Sequence, residues 1–170
     1  IFAGQNPRSL AEHVGTGRHY GINSKRGKIQ LLFSPQSEVN EIYNTDIASF
    51  LYNEDVIDRV KADYVVIVPS YMVFAQDYKS LLAAHIEAGN DITLLYHKVN
   101  NADTNYMNCE FLELDDEKSV KSIQTNIGGK KSKNIFMNSY IMKKNLFIDL
   151  VNEAKKKSSM YNLFNIVNDK

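Results

Sequence analysis

The sequence predicts an α/β fold with a mostly parallel mixed sheet flanked by helices, and three consecutive segments carry that prediction. Tyr64–Val68 is a continuous apolar run closed by Pro69, the pattern of a strand buried on both faces. Tyr78–Ala88 follows with Leu81, Leu82 and Ala84 on one helical face, and Gly89 stands where a helix commonly stops. Asp91–Val99 is the next strand. Strand, helix and strand in this order imply a right-handed crossover and a parallel sheet covered by helices. Ligands of such sheets sit beyond the carboxyl ends of the strands, here at Pro69-Ser70-Tyr71.

The other elements follow the same logic. A first helix starts at Asn6-Pro7, with Asn6 as cap and Pro7 at the first helical position, and ends at Gly15-Thr16-Gly17. Arg18–Lys28 is polar and punctuated by glycine, hence loop, and Ile29–Phe33 is a short strand. Ile47, Phe50, Leu51, Val56, Ile57 and Val60 are spaced for one or two amphipathic helices. Glu110–Leu114 and Val120–Gln124 are strands divided by the acidic turn Asp115-Asp116-Glu117. Ile135–Met142 is a further strand. Lys144–Lys156 is a helix with Leu146, Phe147, Leu150 and Val151 inward, and Met160–Val167 a last short one.

Composition narrows the function classes. The chain has 170 residues, 44% hydrophobic and 24% charged, which suits one compact domain with a real core. Lys+Arg and Asp+Glu balance at 20 each, so no global field draws nucleic acid or an anionic membrane, and neither is expected as a partner. A single cysteine, Cys109, leaves no intrachain disulfide and fits a reducing cytoplasm. His13, His19, His85 and His97 lack metal-ligand spacing. No apolar run reaches the ~20 residues that span a bilayer. The start, Ile1-Phe2-Ala3 without Met, reads as the end of a buried strand, so the chain is expected to be an internal piece of a longer domain.

Most local motifs have plain structural readings. Gly15, Gly17 and Gly21 follow a helix rather than a strand and miss the dinucleotide spacing, which leaves a helix stop. Gly128-Gly129-Lys130-Lys131 lacks the upstream glycine and the following Ser or Thr of a phosphate loop and reads as a solvated turn. Lys155-Lys156-Lys157 ends a helix, where cations suit the dipole. Adjacent side chains of Asp115-Asp116-Glu117 point different ways in a turn, which disfavours a cation site.

Three stretches together are more specific. Pro7-Arg8-Ser9-Leu10 with His13-Val14-Gly15-Thr16-Gly17-Arg18 resembles the "RSL…H-x-G-x-G-[RK]" stretch of bacterial ADP-glucose pyrophosphorylases, the glucose-1-phosphate adenylyltransferases. Asp63–Tyr78 is similar to that family's "DYVLILSGDHIYKMDY". His85 with Gly89-Asn90-Asp91-Ile92-Thr93-Leu94 is close to "H…GADITL". Order and spacing agree over essentially the whole chain, and the resemblance is strongest to the regulatory, D-type glycogen-biosynthesis subunit. It implies a Rossmann-like nucleotide-diphospho-sugar transferase core. On this resemblance residues 1–170 form an internal part of one nucleotidyltransferase-like domain, without the glycine-rich loop "GGxGxRL" or the C-terminal β-helix.

The departures from the family pattern bear on chemistry. Catalysis in that family implies magnesium held by two carboxylates, since hard cations prefer oxygen anions and neutralise charge on the transferring phosphoryl group. The first carboxylate position falls on Tyr71, and the second falls on Asn165 if Tyr161–Val167 represents "DFGKDII". Glu41–Ala48 keeps the tyrosine of "WYKGTADA" as Tyr43 but loses its glycine and moves its acid. The "EKP" lysine has no clear counterpart in Gln124–Lys131, and "ASMGIY" becomes Ile135-Phe136-Met137-Asn138-Ser139-Tyr140. The resemblance therefore implies a regulatory or catalytically impaired subunit in ADP-glucose and glycogen synthesis. It would pair with a catalytic subunit and assign no catalytic residue and no cofactor to this chain. Tyr43, Thr45, Ser70 and Tyr71 are the expected lining of any remaining pocket, with ATP or ADP-glucose as candidate ligands. Two alternatives stay open: an active adenylyltransferase with a relocated metal site at Asp46 or Asp77, and a sugar-nucleotide binding module.

Overall fold

The computed structural model describes residues 1–4, 7–15, 17, 27–33 and 45–170. Two compact units divide the chain. The first comprises Ile1–Lys61 and Leu150–Ile166, the second Ala62–Asp149 and Val167–Lys170.

In the first unit, β1 (Phe2–Ala3) pairs in parallel with β2 (Leu32–Phe33). Helix α1 (Arg8–Val14) starts after Pro7 and stops at Gly15, whose φ of 51° suits a residue without Cβ. Asn6, the expected cap, lies outside the described residues, as do Tyr43 and the rest of 34–44. The apolar spacing after residue 46 resolves into two helices, α2 (Asp46–Tyr52) and α3 (Glu54–Arg59), broken at Asn53. Phe2 meets Phe50 edge to face at a centroid distance of 4.8 Å. Leu150, Ala154, Leu163 and Ile166, from the last two helices, are almost fully buried.

In the second unit, β3 (Tyr64–Ile67) leads through a loop to α4 (Tyr78–Ala88) and then to β4 (Ile92–Val99). Helix α4 has the bounds the sequence predicts. Asp77 caps its start, and Gly89 in the left-handed region closes it. β5 (Glu110–Leu114) and β6 (Val120–Thr125) form a hairpin. Asp115 Oδ1 accepts from the backbone N–H groups of Glu117 and Ser119 there, so the acidic turn is a self-bonded turn as expected. Long β7 (Lys133–Lys143) runs straight into α5 (Lys144–Lys157), whose residues from Leu150 onward belong to the first unit, as does most of α6 (Leu163–Asn168).

Strand β7 organises the sheet. Ile141 pairs with Val66 of β3 on one edge and with Thr93 of β4 on the other. Ile135 likewise stands between His97 of β4 and Phe111 of β5. β3 and β5 therefore share one edge of β7, end to end, with β4 along the opposite edge. Two expectations change. The strands β3 and β4 run parallel to each other as predicted, but antiparallel β7 lies between them, so every pairing in this five-stranded sheet is antiparallel. The crossover pattern fixes relative strand direction but not adjacency. Nor is β3 the strand buried on both faces, since Val66 is 41% and Val68 46% exposed. That role belongs to β7, where Ile135, Phe136, Ser139, Tyr140, Ile141 and Met142 are all buried. Successive residues point to opposite faces of a strand, so burial of Tyr140, Ile141 and Met142 in a row means that both faces of β7 are covered.

Candidate functional site: the carboxyl end of β3 and a bulge in β7

The ladder between β4 and β7 is not continuous. Leu94 pairs with Tyr140 and Tyr96 with Phe136, so Leu95 alone faces Met137, Asn138 and Ser139. β7 thus carries a bulge of more than one residue, which bends a strand and re-aims its side chains. Asn138 at its centre has φ of 47°, in the left-handed region that Asn tolerates better than most residues. Ser139 is fully buried, and its hydroxyl donates to the Met137 carbonyl at 3.0 Å, which closes the bulge on itself.

The bulge falls where β7 passes from one neighbour to the next. β5 pairs with it up to Ile135, and β3 pairs with it from Tyr140 onward. Among the described residues, the intervening stretch has no strand on that edge. β3 ends opposite Tyr140, and the chain then continues through Val68, Pro69 and Ser70 to Tyr71. Across this break Asn138 Nδ2 donates to the Tyr71 hydroxyl oxygen at 2.9 Å. Tyr71 is 69% exposed although its tip is held, Val73 is entirely exposed, and Ser70 is exposed beside them. The corner brings Ser70 and Tyr71 to the carboxyl end of β3, where the sequence places a site, and adds Asn138. The sequence did hold a signal for this residue: Asn138-Ser139 is a polar pair in the middle of an apolar run.

The other expected site residues have local roles. Thr45, in the first unit, caps α2, its hydroxyl oxygen accepting from Ala48 N–H at 3.3 Å. Such a cap stabilises a helix by about 1 kcal/mol. Asn165 exchanges bonds with Asn162 at the start of α6. Its N–H donates to Asn162 Oδ1 at 2.8 Å, and its own Oδ1 accepts from Asn162 N–H at 3.1 Å. This is the reciprocal logic of a capping box.

The carboxylates considered as substitute ligands are also engaged. Asp46 Oδ1 accepts from Ile47 N–H at 2.8 Å and Leu163 N–H at 3.0 Å. Asp77 accepts from Lys79 N–H, Ser80 N–H and the Ser80 hydroxyl. The Ser80 hydroxyl, followed by the two backbone donors, holds the Asp77 carboxyl below the usual carboxylate range. At the two positions where the resemblance expects magnesium carboxylates, a phenol and an amide do not fit that cation. Among the described residues, no three His, Cys, Asp or Glu side chains gather as a ligand set. No helix among them is long and apolar enough to cross a membrane.

No protein-family model matches the chain. Glycogen biosynthesis protein GlgD of Geobacillus stearothermophilus is 33% identical over 101 residues, covering 58% of this chain and 29% of that protein. Glucose-1-phosphate adenylyltransferase of Clostridioides difficile is 29% identical over 90 residues, 52% of this chain and 23% of the enzyme. The same enzyme of Pseudothermotoga lettingae is 26% identical over 109 residues, 64% and 26% respectively. The matched region thus spans under a third of the length of these relatives. Among solved structures, HddC from Yersinia pseudotuberculosis in complex with GMP-PN has a TM-score of 0.64 at 14% identity, covering 95% of this chain and 61% of that one. A putative glucose-1-phosphate thymidylyltransferase from Bacillus anthracis gives 0.61 at 12% identity, covering 88% of this chain and 54% of that one. At such identities the likeness shows the fold alone, which this chain shares with both structures.

Proposed function

We propose, from a relationship to GlgD and the glucose-1-phosphate adenylyltransferases that covers about half of this chain, that it belongs to a regulatory subunit of that enzyme. The reaction served is the transfer of an adenylyl group from ATP to glucose 1-phosphate, giving ADP-glucose for glycogen synthesis and releasing pyrophosphate. Residues 1–170 are on this reading part of one nucleotidyltransferase domain. Magnesium in such a reaction offsets the negative charge that builds on the phosphoryl group. This chain offers it no carboxylate at either expected position.

One observation carries the reading. Tyr71 stands where the first metal carboxylate belongs, and its oxygen is already engaged by Asn138. A phenol tied to an amide cannot give a divalent cation the anionic oxygen it prefers. Asn165, spent on capping α6, supports the same conclusion. The chain would therefore act through a catalytic subunit that keeps its own carboxylates, with packing and nucleotide occupancy as its means of influence.

The test uses the full-length protein carrying this chain, alone and mixed with a catalytic glucose-1-phosphate adenylyltransferase from the same source. Pyrophosphate release is followed with ATP, glucose 1-phosphate and magnesium. The expected result is no turnover alone and an altered rate or effector response of the partner on mixing. Turnover by the protein alone would favour a relocated metal site, with Asp46 or Asp77 released from its capping bonds, and would sink the regulatory reading.

A further inference from the structure

We propose that the β7 bulge is a holding device that presents the ring of Tyr71 as a stacking surface for the base of a purine nucleotide. The inference takes its ligand class from the nucleotidyltransferase reading above, but its geometry stands on the corner itself.

Three features of that corner converge. First, an aromatic side chain 69% exposed would ordinarily be free to turn, yet Asn138 Nδ2 fixes the tip of this one from a residue 67 positions away. A ring already held in place loses little conformational entropy when a ligand covers it. Second, the holding residue sits in a left-handed conformation at the centre of a bulge within the most buried strand of the sheet. Strained or bulged backbone of this kind gathers at ligand clamps, because regular pairing would be the cheaper arrangement. Third, the chemistry at the corner is uncharged: Ser70, Tyr71 and Asn138 surround it, with Val68 and Val73 exposed alongside. Nothing among these five groups would hold a phosphate by charge, whereas an exposed flat ring suits the face of a base. The hydroxyl accepts from Asn138 and keeps its own proton to donate, while the exposed ring face offers the larger recognition surface. Asn138 is thus a positioning residue acting through Tyr71.

The experiment titrates the full-length protein carrying this chain, and three variants of it, with ATP in the absence of magnesium. Saturation-transfer NMR on the adenine protons reports ring contact, and dissociation constants come from the titration. Tyr71→Ala removes the platform and is expected to weaken binding about tenfold or more, the usual scale for loss of an aromatic under a base. Tyr71→Phe keeps the ring and should stay within about threefold. Asn138→Gly keeps the left-handed backbone and removes the clamp. It should weaken ATP by a few-fold with an unchanged melting temperature, which a purely structural role would not produce. Glucose 1-phosphate, which has no base, should bind wild type and Tyr71→Ala alike.

Absence of ATP binding by the wild-type protein overturns the proposal, as does equal binding by Tyr71→Ala. A loss in Tyr71→Phe as large as that in Tyr71→Ala also overturns it, since the hydroxyl and not the ring would then be the contact. These outcomes leave the regulatory reading standing, because that reading is judged by the partner's turnover. Conversely, stacking can hold in a protein that leaves the partner's rate untouched.

Discussion

Two asparagines beside and within β7 serve opposite ends. Asn126, which follows β6 and meets Lys133 at the start of β7, is fully buried. Its Nδ2 donates to the carbonyls of Ala102 and Tyr106, and its Oδ1 accepts from Gly128 N–H and from the buried Lys133 ammonium at 2.6 Å. Lys133 Nζ also lies 4.2 Å from the centroid of the Phe111 ring. That corner is closed: its amide satisfies backbone groups that burial would otherwise leave without partners. Five residues beyond Lys133, Asn138 spends its side chain on a partner that is mostly in solvent. The first asparagine holds the fold together, while the second holds out a ring. Buried polar networks are expensive to break, and exposed ones are not, so mutation separates the two roles.

The largest expected effect is at the closed corner. Asn126→Ala would leave the Ala102 and Tyr106 carbonyls without their donor and remove one acceptor from the Lys133 ammonium. With each orphaned buried group costing about 1–3 kcal/mol, a total loss of about 3 kcal/mol is expected. Urea unfolding monitored by circular dichroism measures it. A loss below ~1 kcal/mol would break the comparison, because Asn126 would then be no more structural than Asn138.

The two corners were unequally legible in the sequence. Helix α4 could be read to the residue, since the apolar spacing of Leu81 and Leu82 and the stop at Gly89 are local signals, although the residue it buries is His85 and Ala84 is exposed. The β5–β6 hairpin with its Asp115 turn was equally local. The order of strands was not: the partners of β7 lie up to 79 positions away, as Tyr64 with Lys143, and apolar alternation does not name a partner. The apolar run of β3 suggested burial on both faces, but Val66 and Val68 are exposed, because hydropathy reports what could be buried and not how many neighbours arrive. Ser70 and Tyr71 follow the end of that strand, which local sequence does mark. Asn138 is hidden in the sequence because the residues around it, Ile135–Met137 and Tyr140–Met142, read as one uninterrupted strand. Thr45, an expected pocket residue from its place in a degraded motif, has its hydroxyl oxygen in a helix cap, a local role that the motif does not announce.

A smaller effect is expected on acidification, and it concerns the far end of β7, where Tyr64 pairs with Lys143. His85 of α4 is 2% exposed, its Nδ1 lies 2.7 Å from Thr93 Oγ1, and its ring meets Tyr64 edge to face. Burial foremost, and then the positive charge of Lys143, push its pKa below the ordinary 6.5, with Asp91 opposing. The unfolded chain takes up a proton near 6.5 that the folded chain refuses, so stability is lost as pH falls from 6.5 toward the lower folded value. Hydrogen exchange at pH 7.5 and 5.5 should show the amides of Val66 and Ile141 losing protection while those of Leu112 and Ile123 keep theirs. His85→Gln should abolish the difference. Equal loosening of both regions would mean that the two ends of β7 do not open independently, and the contrast between them would need another basis.

The smallest effect is predicted at Asn138 itself. Holding an L-residue in the left-handed region costs roughly 1–2 kcal/mol, less for Asn than for most, and glycine removes that cost. Against this gain, Asn138→Gly forfeits a hydrogen bond to an exposed phenol, worth about 0.5–1.5 kcal/mol, and adds backbone freedom to the unfolded chain worth about 0.5–1 kcal/mol. The terms nearly cancel, so the unfolding free energy from urea titration should stay within about 1 kcal/mol of wild type while the Tyr71 ring becomes mobile. That mobility is visible as rotamer averaging about the Tyr71 χ1 angle and as ring-proton shifts moving toward those of free tyrosine. If the variant instead loses more than ~2 kcal/mol, the Asn138 side chain is carrying architecture as Asn126 does. The bulge would then be a packing solution rather than a means of presenting Tyr71, and the stacking proposal would lose its strongest geometric support.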